Sequence, residues 1–383
     1  MPTESHVNPY ARAAARGLFF CACALFGMAT ALHAQTPAPS DTPPITLEVR
    51  SFIYADNTEF LENPYRLGET LLGGQVRADL VFPLSSKARF LGGIHSNSVG
   101  GDDDPFEKFR PVVALELDNP FGTFTIGTIR SGQMGRDPGA GLWPEESGPH
   151  GLVPAIQVDT LSMTRSYEFG VQMLKRASTV QYDGWMAWQR LNTAEARERI
   201  DAGVNGHAVV VRRHRLRVRA LGQVHVVHEG GQLFDVGTVG DSLAGGVGAG
   251  VDVDVAGGTA RVEGLGIVSK YDPDRGNEAR RLNGSGSVVK LIFDRNDWHG
   301  LFMTWHGSNV IEWEGDPNYA SLPLAGGLVA SRDYKEMSAS RRIVLSPQAS
   351  LLTNLRFYRI DGDWDYAYRV AAAIKLSQPL RRK

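Results

Sequence analysis

The sequence predicts an all-β protein: a transmembrane, antiparallel, up-and-down β-barrel of about sixteen strands. Three observations predict it. Apolar and polar residues alternate with period two along most of the chain, as in strands with two unlike faces. The connections between these segments alternate between short and long, the pattern of an outer-membrane barrel. No apolar run beyond the N-terminus reaches the ~18 residues that a spanning helix needs, which excludes a polytopic helical membrane protein. The composition alone, 383 residues, 42% hydrophobic and 21% charged, would serve two or three soluble domains equally well. A formal net charge of −2 argues against a general nucleic-acid binder, which needs a basic footprint.

Residues 1–34 read as a cleaved secretory signal peptide. Arg12 and Arg16 form its basic start, Gly17 to Leu32 its apolar core, and cleavage falls after Ala34 or Ala31. Both cysteines, Cys21 and Cys23, lie inside it. The mature chain then has no disulfide, thiolate metal site or cysteine nucleophile. Residues 35–44 are a Pro-rich linker, 45–377 the barrel, and 378–383 a basic C-terminal tail.

In order, the alternating segments are 46–55, 70–82, 88–96, 110–118, 122–130, 165–174, 179–190, 203–211, 215–228, 244–256, 259–270, 284–294, 297–308, 338–345, 349–360 and 363–376. The second carries Gly74, Val76, Ala78, Leu80 and Phe82 against Gln75, Arg77 and Asp79. The tenth carries Val247, Ala249, Val251, Val253 and Val255 against Asp252 and Asp254. The last sets Trp364, Tyr366, Tyr368 and Val370 against Asp363, Asp365 and Arg369. A strand of about ten residues with one apolar face suits a tilted crossing of lipid. In lipid only a closed sheet satisfies the backbone of such strands.

Short turns fall at Pro83–Lys87, Asn119–Phe121, Gly257–Gly258 and Arg295–Asn296, among others, and Asp361–Gly362 is a hairpin dipeptide. A two-residue Gly257–Gly258 turn sets Val255 opposite Ala260 and Asp254 opposite Arg261. The long connections are 56–69, 97–109, 131–164, 191–202, 229–243, 271–283 and 309–337. Within 191–202, Thr193 followed by Ala-Glu-Ala-Arg-Glu-Arg predicts a capped turn of helix.

Over 45–376 this pattern resembles the porin-type outer-membrane proteins of Gram-negative bacteria, down to Asn119-Pro-Phe-Gly-Thr-Phe-Thr-Ile-Gly-Thr128 at a short turn. The chain departs from that pattern by running on past Leu376 as SQPLRRK instead of ending on an aromatic residue. The resemblance implies location in the outer membrane, with both termini on the periplasmic side. It also implies contact with outer-membrane lipid and lipopolysaccharide, insertion by the barrel-assembly machinery, and possible assembly as a homo-oligomer. By the same resemblance the third long loop, 131–164, folds inward, and Asp137, Glu145, Glu146 and His150 line a constriction. A solvated loop or a plug is the alternative.

Parity places Arg215, Arg217 and Arg219 on one wall of the lumen, joined by Arg77, Arg261 and Arg356 and by the acids Asp252 and Asp254. Basic rings in a pore favour anions, whereas mixed walls form ladders of paired charge. His306-Gly-Ser308-Asn309 resembles the His-x-Ser-Asn element of outer-membrane lipid hydrolases, of the phospholipase A and lipid A deacylase types. There the histidine is the base and the serine the nucleophile. On a strand the two share a face. Pairing Phe293 with Trp298 sends them outward; letting Leu301, Met303 and Trp305 meet lipid sends them into the lumen, and hydrophobicity favours the second.

No P-loop, dinucleotide fingerprint or zinc-ligand spacing is present, so neither cofactor nor metal is expected. The leading expectation is a porin-like channel for small hydrophilic solutes, mildly anion-preferring and not an enzyme. A lipid hydrolase using Ser308 and His306, and a structural or polysaccharide-export barrel with a plugged lumen, are the alternatives.

Overall fold

The computed structural model describes residues 43–60, 62–101, 109–132 and 148–380. The proposed signal peptide and most of the linker lie outside them, as do Asp137, Glu145 and Glu146. Sixteen antiparallel strands close into one barrel in sequence order, the last pairing with the first. They are β1 (Thr46–Glu59), β2 (Glu69–Pro83), β3 (Ala88–Val99), β4 (Phe109–Asn119), β5 (Gly122–Thr128), β6 (Phe169–Arg176), β7 (Val180–Arg190), β8 (Glu198–Arg213), β9 (Leu216–Gly230), β10 (Gly240–Val255), β11 (Gly258–Asp272), β12 (Leu282–Arg295), β13 (Trp298–Ser308), β14 (Arg332–Ser346), β15 (Ala349–Ile360) and β16 (Asp363–Pro379). β16 runs beyond the expected end of the barrel, and Gln378 and Pro379 pair with Leu47 and Thr46.

The alternation read from the sequence is the alternation of the wall. Trp364, Tyr366, Tyr368 and Val370 point outward, while Asp365 and Arg369 are buried inside. Turn frames differ in detail. β10 turns into β11 through Ala256–Gly257, with Gly257 at φ +76, so Val255 meets Gly258 and Asp252 meets Arg261. The register differs from the expected one by two residues, an even number, so every side chain keeps its face. Asp361 and Gly362 both take positive φ, as a two-residue hairpin of the primed type requires.

The 191–202 helix is absent. Thr193 Oγ1 accepts from the Glu195 and Ala196 amides at 3.2 Å, a capping contact that closes a turn without starting a helix. Arg199 then pairs with Glu229 across β8 and β9, and strand pairing takes the segment from Glu198 onward. Arg215 lies exposed in the turn between these strands rather than on the lumen wall.

The interior carries its own apolar core. After β5, segment 148–168 folds into the barrel and buries Leu152, Ile156 and Met163. After β13, segment 309–321 does the same with Val310 and Tyr319. The two segments pair through Val158 N–H to Glu314 O at 2.7 Å and Asp316 N–H to Pro154 O at 2.8 Å. One buried cluster joins them to inward side chains of β7 and of β10 through β16. The inward face of the wall is therefore both charged and apolar.

Candidate active site

β13 ends in Trp305-His306-Gly307-Ser308, and Asn309 turns the chain away at φ +55. Leu301, Met303 and Trp305 point inward and are buried; Phe302 and His306 face outward. The hydrophobicity argument for His306 and Ser308 in the lumen is thus overturned. Its physical failure is plain: inside the barrel Tyr319 of the inward segment packs its ring edge-on to Trp305 and donates its hydroxyl to Met303 Sδ. The β12–β13 turn is Asn296–Asp297, so Arg295 meets Trp298. This is again two residues from the expected frame and keeps the outward parity for His306.

In register opposite His306 on β14 stands Asp333. His306 Nδ1 lies 3.0 Å from Asp333 Oδ1, and both side chains are exposed, at 61% and 75%. Ser308 follows two residues on, on the same face, about 7 Å along the strand. With Nδ1–H donated to the carboxylate, Nε2 is the basic nitrogen of the ring. A bonded carboxylate and imidazole with a hydroxyl two residues along the same face are the residue types of an acid–base–nucleophile set for acyl transfer. The site lies at the long-loop end of the wall beside Ser287, Thr304 and Lys335, with the apolar outward residues Val289, Phe302 and Met337 further along the strands.

Gly307 and Gly286 make this strand end possible. The Trp305 indole lies across both, and a Cβ would come within 2.5 Å of the ring at Gly307 and 2.3 Å at Gly286. The glycine of the His-Gly-Ser-Asn element is therefore a packing requirement of the inward face. Asp333 escaped the sequence reading because the expected strand began at 338, which left Asp333 in a loop. A period-two count back from Met337 and Lys335 would have put it on the outward face.

The lumen residues singled out by sequence are in paired networks. Arg219 reaches Asp252 at 2.8 Å and Glu263 at 2.7 Å, and Arg217 reaches Asp254 at 2.9 Å. Arg261 lies 3.3 Å from Asp252, and Arg77 bonds Asp79 at 2.7 Å. Arg356 spans from Glu336 at 2.9 Å to Asp159 of the inward segment at 2.7 Å. His150 is buried between Glu168 at 2.7 Å and Asp183 at 2.8 Å, stacked on Trp185 with centroids 3.8 Å apart. Burial alone would lower its pKa, but the two carboxylates outweigh burial and raise it to about 10. Towards the short-turn end, a cavity of ≈ 490 Å³ opens below Pro149 and His150, lined by Arg217, Arg219, Arg261 and Glu263 among others.

The model of a family described as Lipid A 3'-O-deacylase-type matches residues 38–383. No curated protein matches the chain by sequence. Among solved structures, a loop-deletion mutant of OmpT, an outer-membrane protein of Vibrio cholerae, is 10% identical, with a TM-score of 0.52 over 87% of this chain and 100% of that one. The in-vitro folded trimer form of OmpT gives 9%, 0.50, 87% and 100%. The anion-selective porin of Comamonas acidovorans gives 12%, 0.46, 87% and 98%. The OmpT likeness shows the fold, an outer-membrane barrel of porin type. The family match corrects the expectation that the chain is not an enzyme.

Proposed function

The chain belongs to the Lipid A 3'-O-deacylase-type family, and on that premise we propose that it hydrolyses an ester-linked acyl chain of lipid A at the outer wall of the barrel. Ser308 is the nucleophile, His306 the general base and Asp333 the group that orients His306. The observation that carries this reading is the outward His306–Asp333 pair, in register across β13 and β14 and 3.0 Å apart, with Ser308 on the same face.

Ser308 Oγ attacks the ester carbonyl carbon while His306 Nε2 takes its proton. The tetrahedral adduct collapses to acyl-Ser308, and the imidazolium returns the proton to the departing alkoxide. Water, deprotonated by the same nitrogen, then releases the fatty acid and restores the hydroxyl. Asp333 holds the productive tautomer and stabilises the imidazolium. An outward site needs no passage for its substrate, since the acyl chains already lie against the apolar wall.

The test is the mass of lipid A from cells that express the wild type or Ser308→Ala. Loss of one acyl chain in the wild type and none in the variant is the expected result. Equal masses from the two, with both barrels folded in the membrane, would refute the assignment.

A second reading, passage of small hydrophilic solutes, draws on the charged cavity at the short-turn end. It requires segments 148–168 and 309–321 to move aside. Planar-bilayer recordings of the refolded barrel test it, with steady unitary conductance as the supporting outcome and a silent bilayer as the opposing one.

A further inference from the structure

We propose that Asp201, His225 and Glu314 bind one divalent transition-metal ion of the zinc class inside the barrel, fastening segment 309–321 to the wall. The three residues come from β8, β9 and that segment, so no spacing in the sequence announces them. All three are buried, and one ligand atom from each lies within 4.8 Å of the others.

The distances suit a small ion. His225 Nε2 lies 3.3 Å from Asp201 Oδ1 and 3.7 Å from Glu314 Oε2. Ligands held at ~2.0–2.2 Å around a tetrahedral zinc stand roughly 3.3–3.6 Å apart. His225 supplies the independent sign of a ligand. Its side chain is fully buried, yet neither ring nitrogen makes a hydrogen bond. Nε2 faces the carboxylate oxygens of Asp201 and Glu314 without a well-formed hydrogen bond to either, a buried arrangement with a desolvation cost that a metal shared by the three would offset.

The surroundings already resemble an outer coordination shell. Trp185 Nε1 donates to Asp201 Oδ1 at 2.7 Å, and Gln189 Nε2 to Asp201 Oδ2 at 3.0 Å. Arg165 donates to Glu314 Oε2 at 2.7 Å and to Asp201 Oδ2 at 2.9 Å, and Gln157 to Glu314 Oε2 at 3.3 Å. Such donors fix the orientation of ligating carboxylates. Glu312, two residues before Glu314, adds a further buried acid whose Oε1 has no hydrogen-bond partner. One imidazole with two carboxylates favours zinc or a related transition metal over calcium and magnesium, which prefer all-oxygen sites. Glu314 lies only six residues beyond Ser308, so the ion would anchor the segment that leaves the proposed nucleophile. The site stands or falls independently of catalysis there.

The experiment uses the full barrel refolded in detergent, stripped with chelator and equilibrated with Zn²⁺ or Co²⁺ alone. Metal retained after gel filtration is counted, and the cobalt form is read by visible absorption. The wild type is expected to keep about one ion per chain, with the strong visible bands of tetrahedral cobalt. His225→Gln and Glu314→Gln are expected to keep less than a tenth of that. His228→Gln, on the same strand but bonded to Asp241, is expected to retain the ion. Failure of folded wild type to retain metal overturns the proposal, and this arm needs no variant to fold. Retention by folded His225→Gln equal to the wild type, or equal loss in His228→Gln, overturns it as well.

Discussion

Asp333 stands directly across the β13–β14 ladder from His306, its Oδ1 3.0 Å from Nδ1, so strand register alone aligns the acid with the base. Asp333→Asn keeps the shape and removes the charge that holds the tautomer. The turnover number for acyl release is expected to fall roughly 10²–10⁴-fold with KM little changed. Steady-state kinetics on micellar substrate checks it; a normal turnover number would remove Asp333 from the mechanism.

Neighbours on β13 should differ sharply because they face opposite ways. Trp305 is fully buried against Tyr319, and Trp305→Ala is expected to cost about 3–5 kcal/mol of barrel stability. His306→Ala, on the outer face, should stay within about 0.5 kcal/mol while abolishing activity. Denaturant unfolding in detergent reads both. A reversed order would mean that β13 faces the other way.

Gly307→Ala tests how the inward face supports the outward one. A Cβ there would lie 2.5 Å from the Trp305 ring, so the indole or the strand end must shift. The expected cost is about 1–3 kcal/mol, with lowered activity although no catalytic group is altered. Melting temperature and acyl release are measured together, and unchanged values for both would contradict the packing account.

The inward segment carries a pH dependence through His150. Its pKa is raised in the fold to about 10, above the ordinary ~6.5 of a free imidazole. A raised value means that its stabilisation is complete below pH 6.5 and is lost as pH climbs through about 10. The denaturation midpoint should therefore decline over that window in the wild type, and His150→Gln should remove this decline. An identical slope in the variant would show that another group titrates.

Much of the barrel was legible because period-two alternation needs no knowledge of partners. Each of the sixteen strands overlaps an alternating segment, although β14 begins at Arg332 and not at 338 and β6 at Phe169 and not at 165, and frames that differ by two residues leave faces unchanged, as at Val255 and Arg295. Facing was misread at Trp305, where a hydrophobic side chain was assigned to lipid although an apolar segment waited inside. That segment is invisible to local pattern: Leu152, Ile156 and Tyr319 become core only through contacts across the barrel. Asp333 was missed for a related reason. The acid lies 25 residues from Ser308 in sequence, and only the closure of the 309–331 connection brings it opposite His306. The Thr193 cap misled because a satisfied turn is locally the same whether or not a helix follows. Parity sets Arg217 and Arg219 on the inward face, but the acids they bond, Asp252, Asp254 and Glu263, depend on register.

The central claim is that Ser308 is an activated nucleophile on the lipid face. The most direct measurement is peptide mass spectrometry of the folded, detergent-solubilised barrel after exposure to a long-chain fluorophosphonate. The account predicts one adduct, on the peptide that contains Ser308, and its loss in His306→Gln. Labelling of another serine, or none on a folded chain that releases acyl chains, would contradict it.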